Sequence, residues 1–509
     1  MPSSHQSTSP PRRVMVLETS SNWRESSPGI YTRPLDEPDL YYTTNAKIWE
    51  RTGQTASAIT VHVGISLPLS PEDDRRAVDL RVERSLRYAW KQIRYHCPVL
   101  ASSVELDPKT NSWHRTYRVA NEKKIIDKWL EETFTFCHGT QTAKEFLDSD
   151  PPVPFSALFV FPNLHNEQSQ LSTIEYNIIL RCRHDVMDGM AAYAFMDKLL
   201  GFTAEAFMAK DNIPDVIYGN EHRNLAPPFR TMLGVSSTKV FTDQDLKVVR
   251  DKRNKNRENA LSVPSKNADS IPGKTRSSTL KFTFDESQRV MAACKARKTT
   301  VTQVIHAAIA LAVRDLQARG EHERQAKYVS YVIMSLRKYC REPYNGPEFS
   351  MMTCHANSTS LMVVDVIIPS SASTIARTCP KEFSTVLKFY QEEAIPKDLL
   401  EAALCFAART PICPSVSSPL PAPTQSASVS LSSRGITDYH VKHRYGPFEV
   451  LDPWCMGTEL SIALGLAVNT WKGEMCLCAG YNMVFHEHKD VQLFLESVKR
   501  TVMEGLDIV

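Results

Sequence analysis

The stretch RCRHDVMDGM, residues 181–190, joins two segments of different character. Residues 172–182, STIEYNIILRC, alternate between apolar and polar side chains and predict a strand. The long apolar run that follows the stretch predicts a buried helix. Because side chains alternate between the two faces of a strand, His184 continues the apolar face, whereas Arg183 and Asp185 point the other way. His184 is therefore the candidate reactive imidazole at a strand-to-helix junction.

Asp188 follows this histidine by four residues and could bind a metal with it, orient it as in a triad, or pair with a distant arginine. A metal site needs three or more ligands, and the sequence has no second His/Asp cluster of suitable spacing. A triad needs a nucleophile, but neither a G-x-S-x-G elbow nor a papain-like cysteine context occurs. A lone base remains, with Asp188 as a structural residue and Gly189 giving the turn its backbone freedom. The competing interpretation is a histidine with a purely structural role.

Composition and charge exclude several classes of protein. The chain has 509 residues, 42% of them hydrophobic and 23% charged, so it is long enough for two or more cores. Sixty Lys and Arg oppose 57 Asp and Glu, for a formal net charge of +3 without a basic face. Nucleic-acid binding therefore has no electrostatic support.

Targeting and cysteine patterns predict a cytoplasmic protein. No run of about 18 apolar residues predicts a membrane span, and the polar start MPSSHQSTSPPRR lacks the core of a secretory signal. The twelve cysteines form no C-x-x-C pair and no zinc spacing, so we expect reduced, mostly buried thiols.

Strand and helix patterns predict an α/β protein of two similar lobes, each a mixed sheet with flanking helices. A helix is expected to begin at Ser70 and Pro71, and the turn Lys472-Gly473 predicts a C-terminal hairpin. The predicted organisation is a disordered tail over 1–13, an N-terminal lobe over 14–250, a crossover linker over 251–279, and a C-terminal lobe over 280–509 with a Pro/Ser-rich loop at 410–433.

Several segments resemble the acyltransferase superfamily of plant and fungal CoA-dependent acyltransferases (the BAHD type), chloramphenicol acetyltransferase and peptide-synthetase condensation domains. RHDVMDG is similar to its H-x-x-x-D-G motif. The plant-type D-F-G-W-G signature is absent, with DPWCMG (452–457) nearest to it, which favours a fungal branch. PRRVMVLE, the chain length and the Pro-rich loop look most like the trichothecene 15-O-acetyltransferase group. Further segments follow in family order across roughly residues 55–505: LRYAWKQIRYHCPVLASSV, TVTQVIHAAIALAV, SLRKY and VNTWKGEMCLCAGYNM.

This resemblance implies a chloramphenicol-acetyltransferase-like fold and transfer of an acyl group, acetyl first, from acetyl-CoA as co-substrate. The acceptor would be a hydroxyl of a small secondary metabolite, with the 15-hydroxyl of a trichothecene-type sesquiterpenoid as one candidate. No bound cofactor, no metal, no membrane and no nucleic acid is expected, and the protein is expected to be a monomer in the cytoplasm.

The resemblance also implies roles for particular residues. His184 would be the general base, and Asp188 would pair with Arg337 across the lobes. Thr470, Trp471 or a backbone N–H of the C-terminal hairpin would stabilise the oxyanion. Many members have two consecutive histidines, and Arg183 replaces the first of them.

Two other classes stay open, and Asp185 is expected to be a surface or loop contact. A condensation-type enzyme would use the same histidine but take its acyl group from a carrier protein. A non-catalytic binding protein could also be built on this fold, because fold does not determine function.

Overall fold

The structure is a computed structural model that describes residues 22–107, 112–163, 173–357, 361–372, 379–392, 398–411, 420 and 428–508. The tail predicted over 1–13 lies outside these residues, as does most of the Pro/Ser-rich loop predicted over 410–433.

Helices and strands are interspersed along the chain, with runs of each. Within the described ranges the α-helices are α1 (Glu37–Glu50), α2 (Arg75–His96), α3 (Lys123–Thr133), α4 (Ala143–Ser149), α5 (Gly189–Ala209), α6 (Phe229–Leu233), α7 (Asp243–Arg257), α8 (Phe284–Ala296), α9 (Val301–Asp315), α10 (Pro380–Glu392), α11 (Leu400–Arg409) and α12 (His488–Gly505). The strands are β1 (Arg24–Ser27), β2 (Ile30–Pro34), β3 (Ile59–Pro68), β4 (Ser103–Asp107), β5 (Ser112–Arg118), β6 (Phe134–Phe136), β7 (Ala157–Pro162), β8 (Thr173–Cys182), β9 (Thr275–Lys281), β10 (Arg324–Ser330), β11 (Ile333–Ser335), β12 (His355–Asn357), β13 (Met362–Ile368), β14 (Val429–Ile436), β15 (Arg444–Tyr445), β16 (Phe448–Gly457), β17 (Leu464–Trp471) and β18 (Glu474–Asn482).

A six-stranded mixed sheet forms the first lobe, in the order β15–β16–β3–β8–β7–β6. β3 and β8 pair antiparallel along their whole length, from Ile59 opposite Cys182 to Pro68 opposite Thr173. α2 and α5 pack against each other and share one hydrophobic core with these two strands. Because α5 is apolar nearly all round, it is buried between the sheet and its neighbours, as the sequence predicts.

The second lobe has its own four-stranded sheet, β14–β17–β18–β9, and its own core around α9 and α12. β17 and β18 form the predicted hairpin, whose turn residues Lys472 and Gly473 have φ values of 49° and 82°. A four-stranded sheet β1–β2–β5–β4 and the pairs β10–β13 and β11–β12 complete the described strands. Two α/β lobes, each built on a mixed sheet, are therefore confirmed.

The predicted lobe boundary differs from the structure, because β15 and β16 come from the C-terminal half but lie in the sheet of the first lobe. β16 pairs antiparallel with β3, with Val450 opposite Ile65. The 280–509 range therefore does not form one lobe. A strand's own sequence shows its alternation but does not show which distant strand is its partner.

The crossover linker predicted over 251–279 is shorter than expected at both ends. Residues up to Arg257 continue α7, and residues from Thr275 onward belong to β9. α7 begins with a capping box between Thr242 and Asp245, which stabilises a helix whose composition is otherwise that of a charged loop. The proposed loop 410–433 also ends early, because β14 starts at Val429.

The start of α2 is likewise later than Ser70. Asp74 is the N-cap, and its side chain accepts a hydrogen bond from the Arg76 N–H at 3.1 Å. Ser70 instead begins a turn, since its N–H donates to the Asp73 carboxylate. Two nearby Asp residues compete with Ser70 for the cap, and the local sequence does not show which one the chain uses.

The described residues bear on two further predictions, that the chain has no membrane-spanning helix and that its cysteines are reduced and mostly buried. Throughout the described ranges, no helix is both long enough and apolar enough to cross a membrane. The cysteines that the structure describes are free thiols, and most of them are buried.

Candidate active site

The motif lies in the connection between β8 and α5, beside a cavity of about 680 Å³ that His184 and Asp188 line. His184 lies in a turn after Cys182, and not on the strand as the alternation argument assumes. The N-terminal half of the chain contributes residues of α1, β3 and α5 to the walls. The C-terminal half contributes residues of β11, β12, α11, β14, β16 and β17.

His184 is held by its backbone and by an aromatic ring. The Thr353 hydroxyl donates a hydrogen bond to the His184 carbonyl at 2.8 Å. The Tyr42 ring stacks on the imidazole with a centroid distance of 4.1 Å and an interplanar angle of 4°. Burial and the neighbouring His355 imidazole lower the pKa of His184 to about 4. The imidazole is therefore neutral at pH 7, the state in which it can accept a proton.

The buried Asp188 carboxylate accepts five hydrogen bonds, so each of its oxygens has at least two donors. Oδ1 accepts from Arg337 Nη2 at 2.8 Å, and Oδ2 accepts from Arg337 Nη1 at 3.1 Å. Oδ1 also accepts the N–H groups of Met190 and Ala191, which makes Asp188 the N-cap of α5, and Oδ2 accepts the N–H of Cys354 at 2.8 Å. Burial raises its pKa, but Arg337 and then His355 outweigh burial and hold that pKa far below its ordinary value.

Gly189 is the first residue of α5 and lies outside the positive-φ glycines of the described chain. The conformation of Gly189 therefore does not require the backbone freedom that the sequence predicts for it. A Cβ at this position would lie 3.1 Å from Nε of Arg434, a buried residue of β14. Gly189 instead allows Arg434 to approach the motif closely.

Asp185 is not the surface contact that the sequence predicts. Its carboxylate is buried and accepts hydrogen bonds from Arg115 at 3.0 Å and from Arg183 at 3.3 Å. Burial raises its pKa, but these two guanidinium groups lower it to about 2. Arg183 and Asp185 line a second cavity, of about 440 Å³, to which His184 does not contribute. The predicted separation of His184 from its two neighbours thus holds in space, although Asp185 lies in the interior.

Thr470 and Trp471 are not among the residues that line the cavity beside His184. β17 contributes Gly465, Leu466 and Ala467 to the cavity wall, whereas Thr470 and Trp471 are the last residues of that strand. A strand advances about 3.3 Å per residue, so Thr470 lies about 10 Å beyond Ala467. The Trp471 ring packs edge-on against His443 at a centroid distance of 4.9 Å. The part of the predicted hairpin that lines the cavity is therefore the start of β17, the end away from the hairpin turn.

Two residues beside His184 escape sequence analysis. Tyr42 belongs to α1, and His355 belongs to β12, and both line the cavity. The ring centroids of His184 and His355 are 5.3 Å apart. His355 stands in MMTCHANS, which has no recognisable motif spacing, so the only available signal was a histidine in an apolar context.

The site can support proton transfer to and from a bound reactant through His184. Within the described residues, no group of three or more His, Cys, Asp or Glu side chains could hold a metal ion. A neutral imidazole beside a fully bonded carboxylate is an arrangement for general base catalysis by a single residue.

Comparison with known proteins shows what this chain is similar to. Residues 140–368 match the model of the family described as 15-O-acetyltransferase Tri3. This part of the chain, somewhat less than half of it, is similar to the Tri3 acetyltransferases. The O-acetyltransferase pigM of Monascus ruber is 23% identical to this chain over 505 residues, 96% of the chain and 87% of the relative. Azaphilone biosynthesis cluster protein M of Aspergillus terreus is 23% identical over 351 residues, 67% of this chain and 79% of the relative.

Solved structures show the same fold. The TRI3 trichothecene 15-O-acetyltransferase of Fusarium sporotrichioides superposes with a TM-score of 0.76 at 15% identity, over 97% of this chain and 100% of that one. The first condensation domain of the calcium-dependent antibiotic synthetase superposes with a TM-score of 0.57 at 13% identity, over 95% and 97%. With the family model and the relatives, the chain is an acyltransferase that acts on hydroxyl groups.

Proposed function

We propose that the protein transfers an acetyl group from acetyl-CoA to a hydroxyl of a small secondary metabolite, with His184 as the general base. The observation that carries this proposal is the position of the His184 imidazole on the wall of a cavity that both halves of the chain line, where burial lowers its pKa. An alcohol is a poor nucleophile at neutral pH, whereas a neutral imidazole can remove its proton during attack.

In the proposed reaction, the acceptor oxygen attacks the thioester carbonyl of acetyl-CoA while His184 takes the hydroxyl proton. The tetrahedral intermediate then collapses, the carbon–sulfur bond breaks, and His184 returns the proton to the departing thiolate. The thioester is already activated, so the reaction requires no covalent bond to the protein. Asp188 takes no proton, because both its oxygens are bonded and its pKa lies far below its ordinary value.

Asp188 is proposed to hold the motif loop in place. It joins the first turn of α5 to Arg337 and to the Cys354 backbone, both of which lie in the C-terminal half. The position of His184, four residues before Asp188, thereby depends on contacts from both halves of the chain.

Two acceptor classes follow from the relatives and from the shape of the site. The cavity is lined by aromatic side chains, among them Tyr41, Trp49 and Tyr331, together with polar groups, as suits a flat or polycyclic alcohol. We propose azaphilone-type alcohols, from the name of the Aspergillus terreus relative, and the 15-hydroxyl of a trichothecene-type sesquiterpenoid, from the family model and the TRI3 structure, as the acceptors to test.

The test is to incubate the purified protein with acetyl-CoA and alcohols of both classes and to identify acetylated products by mass spectrometry. His184→Ala should reduce the rate by about 10²- to 10⁴-fold. Its circular dichroism spectrum should match the wild type, because the His184 side chain stabilises no ion pair among the described residues. Normal turnover by His184→Ala would contradict the mechanism.

A condensation-type enzyme is the alternative to exclude, since condensation domains share this fold. Its acyl group would come from a carrier protein, so the same assay should be repeated with an acetyl-loaded carrier protein. Product from the carrier protein but none from acetyl-CoA would replace the proposed donor.

A further inference from the structure

Three consecutive residues, Thr353 to His355, hold the motif from the C-terminal half of the chain. The Thr353 hydroxyl binds the His184 carbonyl, and the Cys354 N–H binds Oδ2 of Asp188, both at 2.8 Å. Nδ1 of His355 lies 3.6 Å from the same Oδ2. His355 thus faces the carboxylate that anchors the loop.

His355 lies between Asp188 and Tyr42. Its Nδ1 is buried and has no hydrogen-bond partner among the described residues, so the Asp188 carboxylate is the charged group nearest to it. A nearby carboxylate favours the tautomer with the proton on Nδ1. Nε2 then carries the lone pair, and the Tyr42 hydroxyl, 2.9 Å away, donates to it.

The Tyr42 ring that this hydrogen bond holds is the ring that stacks on His184. Tyr42 is only 7% exposed, and Tyr41 and Phe406 pack around it with centroid distances of 5.0 Å and 6.0 Å. Nδ1 of His184 is buried and makes no hydrogen bond to another described residue. Stacking on Tyr42 is therefore the contact that sets the plane of the His184 ring.

We propose that His355 is a positioning residue for the reaction: it holds Tyr42 flat against His184 and so fixes the plane of the catalytic imidazole. This inference rests on the proposed role of His184 as base. It differs from a triad, in which a carboxylate binds the catalytic histidine directly. Here the carboxylate of Asp188 orients a second histidine, and the effect reaches His184 through an aromatic ring.

The same arrangement has an electrostatic consequence. The charged and titratable groups that face His184 are Tyr42, His355, Asp188 and Asp185, and both carboxylates are bonded to arginines. Of these groups, His355 alone opposes protonation of His184, because a proton on each ring would place two positive charges on imidazoles whose centroids are 5.3 Å apart. Loss of the His355 imidazole should therefore make His184 easier to protonate.

The experiment compares His355→Phe, His355→Gln and Tyr42→Phe with a matched control, His306→Phe. His306 is also a buried histidine stacked on a tyrosine, Tyr390, but lies in the core of the second lobe. The measurements are kcat, KM for acetyl-CoA, and the pH dependence of kcat/KM with an acceptor identified as above.

His355→Phe should lower kcat by about tenfold to a hundredfold through misplacement of the imidazole. KM for acetyl-CoA should stay unchanged, and the acidic midpoint of kcat/KM should move up from near 4 but stay below the ordinary value, because burial is the larger cause of the lowered pKa and remains. His355→Gln should keep more of kcat than His355→Phe, because its carbonyl oxygen can still accept from Tyr42, yet it should show the same pH shift. Tyr42→Phe keeps the stacked ring but loses the hydrogen bond, so it should lower kcat without a comparable shift.

Unchanged kcat and midpoint in a folded His355→Phe variant would overturn the inference, as would an equal pH shift in His306→Phe. If no acceptor is acetylated at all, the proposed function fails, but the inference can still be tested. NMR titration of the His184 imidazole, assigned with His184→Ala, should then show an upward shift in His355→Phe. An unshifted titration would overturn it.

Discussion

Asp188 and Arg337, 149 residues apart in the sequence, form a two-point ion pair, with oxygen–nitrogen distances of 2.8 and 3.1 Å. Arg337 also donates to the carbonyl groups of Ser350, Met352 and Cys354. One guanidinium therefore connects the motif loop to the segment that leads into β12. The geometry around His184 depends on how the two halves of the chain dock.

Removal of the Asp188 carboxylate should destabilise the protein as well as slow it. In Asp188→Ala, Arg337 is left as an uncompensated charge and α5 loses its N-cap, so we expect a loss of about 3–5 kcal/mol in the free energy of unfolding. Urea unfolding measures it. Asp211→Ala removes a carboxylate that is 90% exposed and paired with Arg84, and it should cost less than about 1 kcal/mol. Equal stability of the two variants would contradict the interpretation of Asp188.

Asp185→Ala should also destabilise the protein, but it should not directly disturb the cavity that His184 lines. Its carboxylate lies 3.0 Å from Arg115, which is itself only 1% exposed but keeps Asp39 as a second partner at 2.8 Å, so a loss of about 1–3 kcal/mol is expected. Because Asp185 lines the other cavity, kcat measured below the unfolding temperature should fall less than in Asp188→Ala. A larger kcat loss in Asp185→Ala would show that this cavity takes part in the reaction.

Gly189→Ala and Gly201→Ala form a matched pair in α5. A methyl group at 189 meets Arg434 Nε at 3.1 Å, whereas one at 201 meets nothing within 4 Å. Gly201→Ala should therefore raise stability by about 0.5–1 kcal/mol, the usual gain for glycine in a helix interior, with kcat unchanged. Gly189→Ala should lower kcat, because Arg434 must move. Equal kcat in both variants would contradict the role given to this close approach.

Stability should fall as the pH drops from 6.5 to 4. Burial lowers the pKa of His306 to about 4, and burial with His355 does the same for His184. In the unfolded chain both residues titrate near their ordinary value of about 6.5, so between these pH values the unfolded state binds more protons and is favoured. Thermal unfolding across this range measures the slope. His306→Phe should reduce the slope, and an unchanged slope would exclude His306 as a contributor.

The local order around the motif could be predicted because it depends on local patterns. Residues 172–182 alternate as a strand must, and α5 is apolar as a buried helix must be. The pairing of Asp188 with Arg337 was expected only from the family resemblance, because no local pattern relates residues so far apart. Neither a local pattern nor the family resemblance indicates Tyr42 or His355, and each lies far from His184 in the sequence.

The predictions that are wrong also concern contacts between residues that are far apart in the sequence. Asp185 was expected at the surface because the alternation of a strand was extended into a turn, and because its partner Arg115 lies on another strand. The sequence prediction places β16 in the wrong lobe, because the sequence of a strand does not show which strand it pairs with. Thr470 and Trp471 were placed in the hairpin correctly, but how far along β17 the cavity reaches depends on how the lobes meet.

By itself, the sequence determined the two α/β lobes, the strand–turn–helix that carries His184 and the C-terminal hairpin, because alternation, helical spacing and turn residues act over a few positions. Only the tertiary structure decided what surrounds the imidazole: the Tyr42 ring, the His355 side chain and the buried ion pairs of Asp188 and Asp185. Those contacts join residues that are far apart in the chain, and they arise when apolar surfaces of the two halves are buried together.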